Sequence, residues 1–149
     1  MDPAPQEIRT FLVTANTAGR RRLFQVSSNA ELLLNVLRDD RARGRYAIHA
    51  YVVMPDHFHL LLTPGPDVSL EKAMQFIKGG FSFRLHSKTR VWQESFAWER
   101  MKDVREYDAH CNYIHANPVR QHLCASAEGF AYSSARGEGV DPMPAHFRA

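Results

Sequence analysis

The stretch that most constrains this chain runs from Tyr46 to Thr63, an apolar, β-branched and aromatic run interrupted by Pro55-Asp56. Such a pattern predicts two strands, Tyr46 to Met54 and His57 to Thr63, joined by a tight turn. Successive side chains of a strand point to opposite faces. Phe58, Leu60 and Leu62 therefore share one face, which requires an apolar core. His57 and His59 share the other, so two imidazoles lie side by side, an arrangement suited to a divalent cation. Two histidines rarely complete a metal site, and a later residue has to join them.

The flanking segments set the topology. Residues 1 to 7 read as a loose leader, and Arg9 to Ala15 as a first strand. Ser28 and Glu31 have the spacing of a capping box, followed by Leu32, Leu33, Val36 and Leu37 at helical intervals. Pro64-Gly65-Pro66 breaks the chain after the histidine strand. Ser69 can then cap a second helix with Leu70, Ala73, Met74, Ile77, Phe81 and Leu85 on its apolar face. Gly79-Gly80 within it predicts a kink or a close approach. Val91 to Lys102, with Trp92, Phe96 and Trp98 on alternate positions, reads as a fourth strand. The order βαββαβ predicts an α+β, ferredoxin-like antiparallel sheet with two helices on one face. The histidine strand is then central, and its histidines face the side those helices leave open.

Composition bounds the rest. The chain is 149 residues long and reads as a single domain over residues 1–135, with 136–149 as a flexible tail of low apolar content. No apolar run approaches the ~20 residues of a membrane span, and the first residues carry no secretory pattern. Cys111 and Cys124 are too few for a disulfide framework, so a cytoplasmic setting is expected. The net charge of +3 is concentrated in clusters such as Arg20, Arg21 and Arg22, and Lys78, Arg84, Lys88 and Arg90. Clusters of this kind suit a polyanion.

A third helix is predicted from Asp103, its cap, to Asn117, where Pro118 should end it. At ~100° per residue, Tyr107, Cys111 and Ile114 fall together on an apolar face. Tyr113 and Asn117 fall on a separate polar face, as an i, i+4 pair. Laid over the open side of the sheet, this helix would bring Asn117 to the two histidines and Tyr113 beside them.

Taken together, His57-Phe58-His59 after Tyr-Val-Val-Met-Pro-Asp, and Tyr113-Ile-His-Ala-Asn117-Pro-Val-Arg120, resemble the single-tyrosine HUH transposases, where U is a bulky apolar residue. Within them the chain is most similar to the REP-associated tyrosine transposases of the IS200-like group, from about Arg9 to Ala135. The resemblance implies an HUH site on the open face, covered by the tyrosine-bearing third helix. It implies His57, His59 and Asn117 as ligands of Mg²⁺ or Mn²⁺, and Tyr113 as a nucleophile that forms a 5′-phosphotyrosine intermediate. The implied partner is single-stranded or hairpin DNA, bound by a monomer or homodimer, with Arg20, Arg21, Arg22, Lys78, Arg84 and Arg120 as phosphate contacts. The competing expectation is a domesticated single-stranded DNA-binding module without turnover. A histidine-triad hydrolase would need a third histidine at position 61, which is leucine. A zinc deaminase would need a Cys-x-x-Cys, which the chain lacks.

Overall fold

The computed structural model describes residues 8–148, so the expected leader lies outside the described residues. The main elements are β1 (Phe11–Asn16), α1 (Ser27–Ala42), β2 (Tyr46–Met54), β3 (His57–Pro64), α2 (Leu70–Leu85), β4 (Ala97–Arg100) and α3 (Val104–Arg120). The strands form one sheet in the order β2-β3-β1-β4, antiparallel throughout. This is the ferredoxin-like arrangement, with β1 and β3 central.

The period-2 pattern of β3 divides the molecule into two layers. On one face Phe58, Leu60 and Leu62 join Val13 and Ala15 of β1 against Leu33 and Leu37 of α1 and Met74, Ile77 and Phe81 of α2. Each large side chain fully buried there contributes about 1.5–3 kcal/mol. Gly80 lets the two helices approach: a Cβ on it would lie 3.2 Å from Cγ1 of Val36. No break interrupts α2, so Gly80 serves a close approach rather than a kink, while a Cβ on Gly79 would meet nothing within 4 Å. On the other face Ala50, Val52, Met54 and Leu61 pack against Tyr107 and Ile114 of α3.

Three local expectations are corrected. The fourth strand is only Ala97–Arg100. Trp92 instead makes an isolated bridge to Thr17 and enters the core, meeting Phe58 and Phe81 edge-to-face and Phe24 at a tilt. Its indole N–H donates to the Lys78 carbonyl at 3.0 Å, so burial and that bond capture Trp92 while Trp98 stays 59% exposed. The Ser28–Glu31 capping box does not form, because α1 starts two residues earlier, with Val26 at the cap position and no side-chain cap bond. The Asn29 amide ties the helix start to the Leu23 carbonyl at 2.8 Å.

The third correction bears on the site. The Asp103 cap accepts from the Glu106 N–H at 2.9 Å, but α3 continues through Pro118 to Arg120. Proline removes one N–H near the helix end, where the loss is small. The next turn is re-formed by Gln121 N–H to the Asn117 carbonyl and Leu123 N–H to the Pro118 carbonyl. Arg120 therefore stays on the helix, two turns beyond Tyr113 and on its side.

Residues 136–148 follow the body of the fold. Asp141 takes a bidentate bond from Arg41 at 2.9 and 3.0 Å, and its carboxylate also accepts from the Ile48 N–H at 2.9 Å. Phe147 is buried beside Tyr107.

Candidate active site

Between α3 and the sheet lies an open cleft of about 850 Å³, lined by His57, His59, Tyr113 and Asn117 among others. Strand alternation delivers the histidines, whose rings are 4.8 Å apart between centroids. Helical phasing delivers the tyrosine. Tyr107 is 6% exposed in the core and Tyr113 is 47% exposed, with its ring 5.8 Å from that of His59. Asn117, one turn on, is buried at 4% exposure.

Each imidazole is held through one nitrogen. His57 Nδ1 lies 2.7 Å from Asp56 Oδ1, and His59 Nδ1 lies 2.8 Å from Thr14 Oγ1. These contacts fix the rings through Nδ1 and leave Nε2 as the nitrogen that could ligate a cation, the usual way in which neighbouring groups orient histidine ligands. Burial, reinforced by the nearby His57 and Arg120, pushes His59 down to about 4, so it is a neutral donor at physiological pH. Arg20 and His57 hold the Asp56 carboxyl below the usual range against the opposing effect of its burial.

The donor set fits a cation that draws the rest of its shell from elsewhere. Two imidazoles and the Asn117 amide oxygen are all neutral, and no cluster of three or more His, Cys, Asp or Glu suited to a metal occurs among the described residues. An ion bound there would keep its positive charge for an incoming anion.

The basic residues divide. Arg20 and Arg22 line the cleft, and Arg20 is anchored to Asp56 at 2.9 Å. The guanidinium of Arg120 lies 4.2 Å from the Tyr113 ring centroid and 3.4 Å from Asn117 Oδ1. Arg21 points away, bonded to Thr89 and to the Arg90 carbonyl. Lys78 donates to the Gln93 carbonyl at 2.9 Å, and the Gln93 side chain in turn meets Asn16 at the cleft. Arg84 is not brought to the cleft, since it pairs with Asp39 of α1 at 2.7 Å in the helical layer.

Sequence reasoning passed over Thr14, Asn16, Asp56 and Gln121, all of which line the cleft. Asp56 had a visible signal in its position next to His57. Thr14 and Asn16 stand opposite His59 and His57 in the β1–β3 register, which the sequence does not print.

Residues 10–117 match the family described as "Transposase IS200 like". The chain belongs to that family and is accordingly a transposase, an enzyme that nicks and rejoins DNA. It is 26% identical over 126 residues to the REP-associated tyrosine transposase of Escherichia coli (strain K12), covering 84% of this chain and 75% of that one. A relative from Haemophilus influenzae is 28% identical over 100 residues, 57% of this chain and 56% of its own length. The solved structure of a REP-associated tyrosine transposase bound to a REP hairpin superposes with a TM-score of 0.77 at 23% identity, over 95% of this chain and 89% of that one. No helix among the described residues is long and apolar enough to cross a membrane.

Proposed function

We propose that this transposase cuts single-stranded DNA beside a hairpin through a covalent bond to Tyr113, with His57, His59 and Asn117 holding Mg²⁺ or Mn²⁺. The observation that carries the reading is one cleft holding an exposed tyrosine, two imidazoles fixed through Nδ1, and three arginines within or beside it. The solved neighbour is bound to a REP hairpin, which makes a hairpin the first substrate to test.

The Tyr113 hydroxyl gives up its proton to solvent as its oxygen attacks the phosphorus, and the P–O3′ bond breaks. The leaving 3′ oxygen takes up a proton, while the 5′ phosphate stays on Tyr113. Attack by a 3′-OH reverses the exchange, so the phosphodiester is re-formed without ATP. Arg20, Arg22 and Arg120 neutralise the strand's phosphates, with Arg21 and Lys78 as contacts further out. Arg120 also spans Tyr113 and Asn117, which sets the tyrosine relative to the amide. A cation held by His57, His59 and Asn117 would supply positive charge that offsets the charge of the attacked phosphate.

Incubation of a 3′-labelled single-stranded hairpin with Mg²⁺ or Mn²⁺, followed by denaturing electrophoresis and peptide mapping, tests this. A label retained on the peptide containing Tyr113 is expected. An adduct mapping to Tyr107, or a DNA-binding protein that forms none, would refute it.

A further inference from the structure

A second depression lies against Tyr113. This groove, about 390 Å³, is lined by Leu12, Thr14, His59, Ala109, His110 and Tyr113. Thr14, His59 and Tyr113 line both it and the cleft, so those side chains form a shared wall. The two compartments differ in chemistry. The cleft side carries Asn16, Arg20, Arg22, Asp56, Asn117 and Gln121, a lining for phosphate and sugar. The groove side offers Leu12, the Ala109 methyl and aromatic rings.

The groove is also built to stay in place. Leu12 packs against the buried cluster under α3. The His110 ring is held from two directions, by the Glu106 carbonyl 2.7 Å from Nδ1 and by Glu99 Oε2 3.3 Å from Nε2. Tyr113 is braced by Arg120 over its ring. A volume of this size falls within the range of small-molecule sites, which are mostly apolar with a few fixed polar groups.

We propose that this groove receives a nucleobase next to the attacked phosphodiester, stacked against His110 and Tyr113. The inference rests on the reading of the cleft as the phosphate site. A strand whose phosphate enters the cleft can place the adjoining base beyond the shared wall, and there the surface turns from charged to apolar. Stacking on aromatic rings tolerates any base, because every base has a π-face. The groove therefore senses the presence of a base more than its identity. Loss of one stacked base is expected to weaken productive binding about ten- to a hundred-fold.

The test crosses substrate and protein changes. Hairpin oligonucleotides carry a single abasic residue at each single-stranded position beside the stem in turn. Adduct formation (kcat/KM) and binding by fluorescence anisotropy in EDTA are measured for the wild type, Ala109→Trp and His110→Ala. Ala109 is exposed on α3, so its indole replacement fills the groove without entering the core, whereas His110→Ala removes a wall. The expected result is one flanking position where an abasic residue lowers wild-type kcat/KM about ten- to a hundred-fold, while base exchange there changes it only a few-fold. Ala109→Trp should lose as much on the intact strand and nothing further on the abasic one, and His110→Ala should lose part of it in the same non-additive way. Multiplicative losses, or no sensitive position, overturn the inference while leaving Tyr113 cleavage intact. If the wild type forms no adduct, the anisotropy arm decides alone: the same non-additivity keeps the base site and discards the cleavage reading, and additivity discards both.

Discussion

The two ends of the α3–sheet interface use the same residue types to opposite effect. At the closed end His49 and Tyr107 lie together, 5.6 Å between ring centroids, and both are buried. Both nitrogens of His49 have partners, Nε2 at 2.8 Å from Thr63 Oγ1 and Nδ1 at 3.2 Å from the Asp141 carbonyl. At the open end His59 and Tyr113 stand at a similar separation, 5.8 Å. There His59 is held at Nδ1 only, and Tyr113 is half exposed. A histidine–tyrosine pair is thus not a signature of chemistry. What separates the ends is whether the remaining nitrogen and the hydroxyl face protein or a cleft.

Substitutions at matched positions sharpen this contrast. The largest effect is expected from Tyr113→Phe, which should abolish the covalent DNA adduct and leave DNA binding within a few-fold. Tyr107→Phe should keep the adduct and lose about 1 kcal/mol of stability. Adduct gels alongside urea melts read both, and the contrast breaks if Tyr107→Phe is the variant that loses the adduct.

The histidines should divide in the same way. His59→Ala is expected to lower Mg²⁺- or Mn²⁺-dependent cleavage by about 100-fold or more, with a modest change in melting temperature. His49→Ala takes one partner from Thr63, which keeps its bond to Thr10, and one from the Asp141 carbonyl, an expected loss of about 1–3 kcal/mol, yet cleavage per folded molecule should persist. Equal loss of cleavage in the two variants would erase the distinction. Asp56→Asn, which weakens the hold on His57, should fall between them, at about 10- to 100-fold in metal affinity or activity.

Acid should act on both ends. Burial lowers His49 and takes His59 from its ordinary value to about 4. The unfolded chain then binds protons that the folded chain refuses. This contribution to stability is complete above ~6.5, the unfolded value, and is lost as the pH falls from there toward about 4. For His59 it amounts to about 3 kcal/mol. Urea midpoints measured in EDTA should fall across that window, and His59→Gln should flatten the fall. An unchanged slope in that variant would show that His59 titrates normally.

The smallest effect concerns charge. Arg20→Ala should reduce the slope of log K against log salt for single-stranded DNA by about one unit. Arg84→Ala, which removes a guanidinium paired with Asp39 in the helical layer rather than one lining the cleft, should leave it unchanged. Equal slopes for the two variants would remove the cleft arginines from the binding surface.

Much of this was legible from local periodicity. Alternation in β3 put His57 and His59 on one face and Phe58, Leu60 and Leu62 on the other, because a strand admits no other distribution. Helical phasing separated Tyr107 from Tyr113 for the same kind of reason. Those two rules act within one element, and the sequence by itself determined them. Tertiary structure decided what happens between elements. Register set Thr14 against His59, and core packing drew Trp92 out of the fourth strand. The last turn of α3 outlived Pro118 because its carbonyls found amides beyond the proline, which carried Arg120 onto Tyr113. The pairing of Arg84 with Asp39 likewise depended on how α1 and α2 cross. Apart from that last turn of α3, whose bonds are local, these outcomes turn on contacts between separate elements, whose energy depends on a distance that no local pattern encodes.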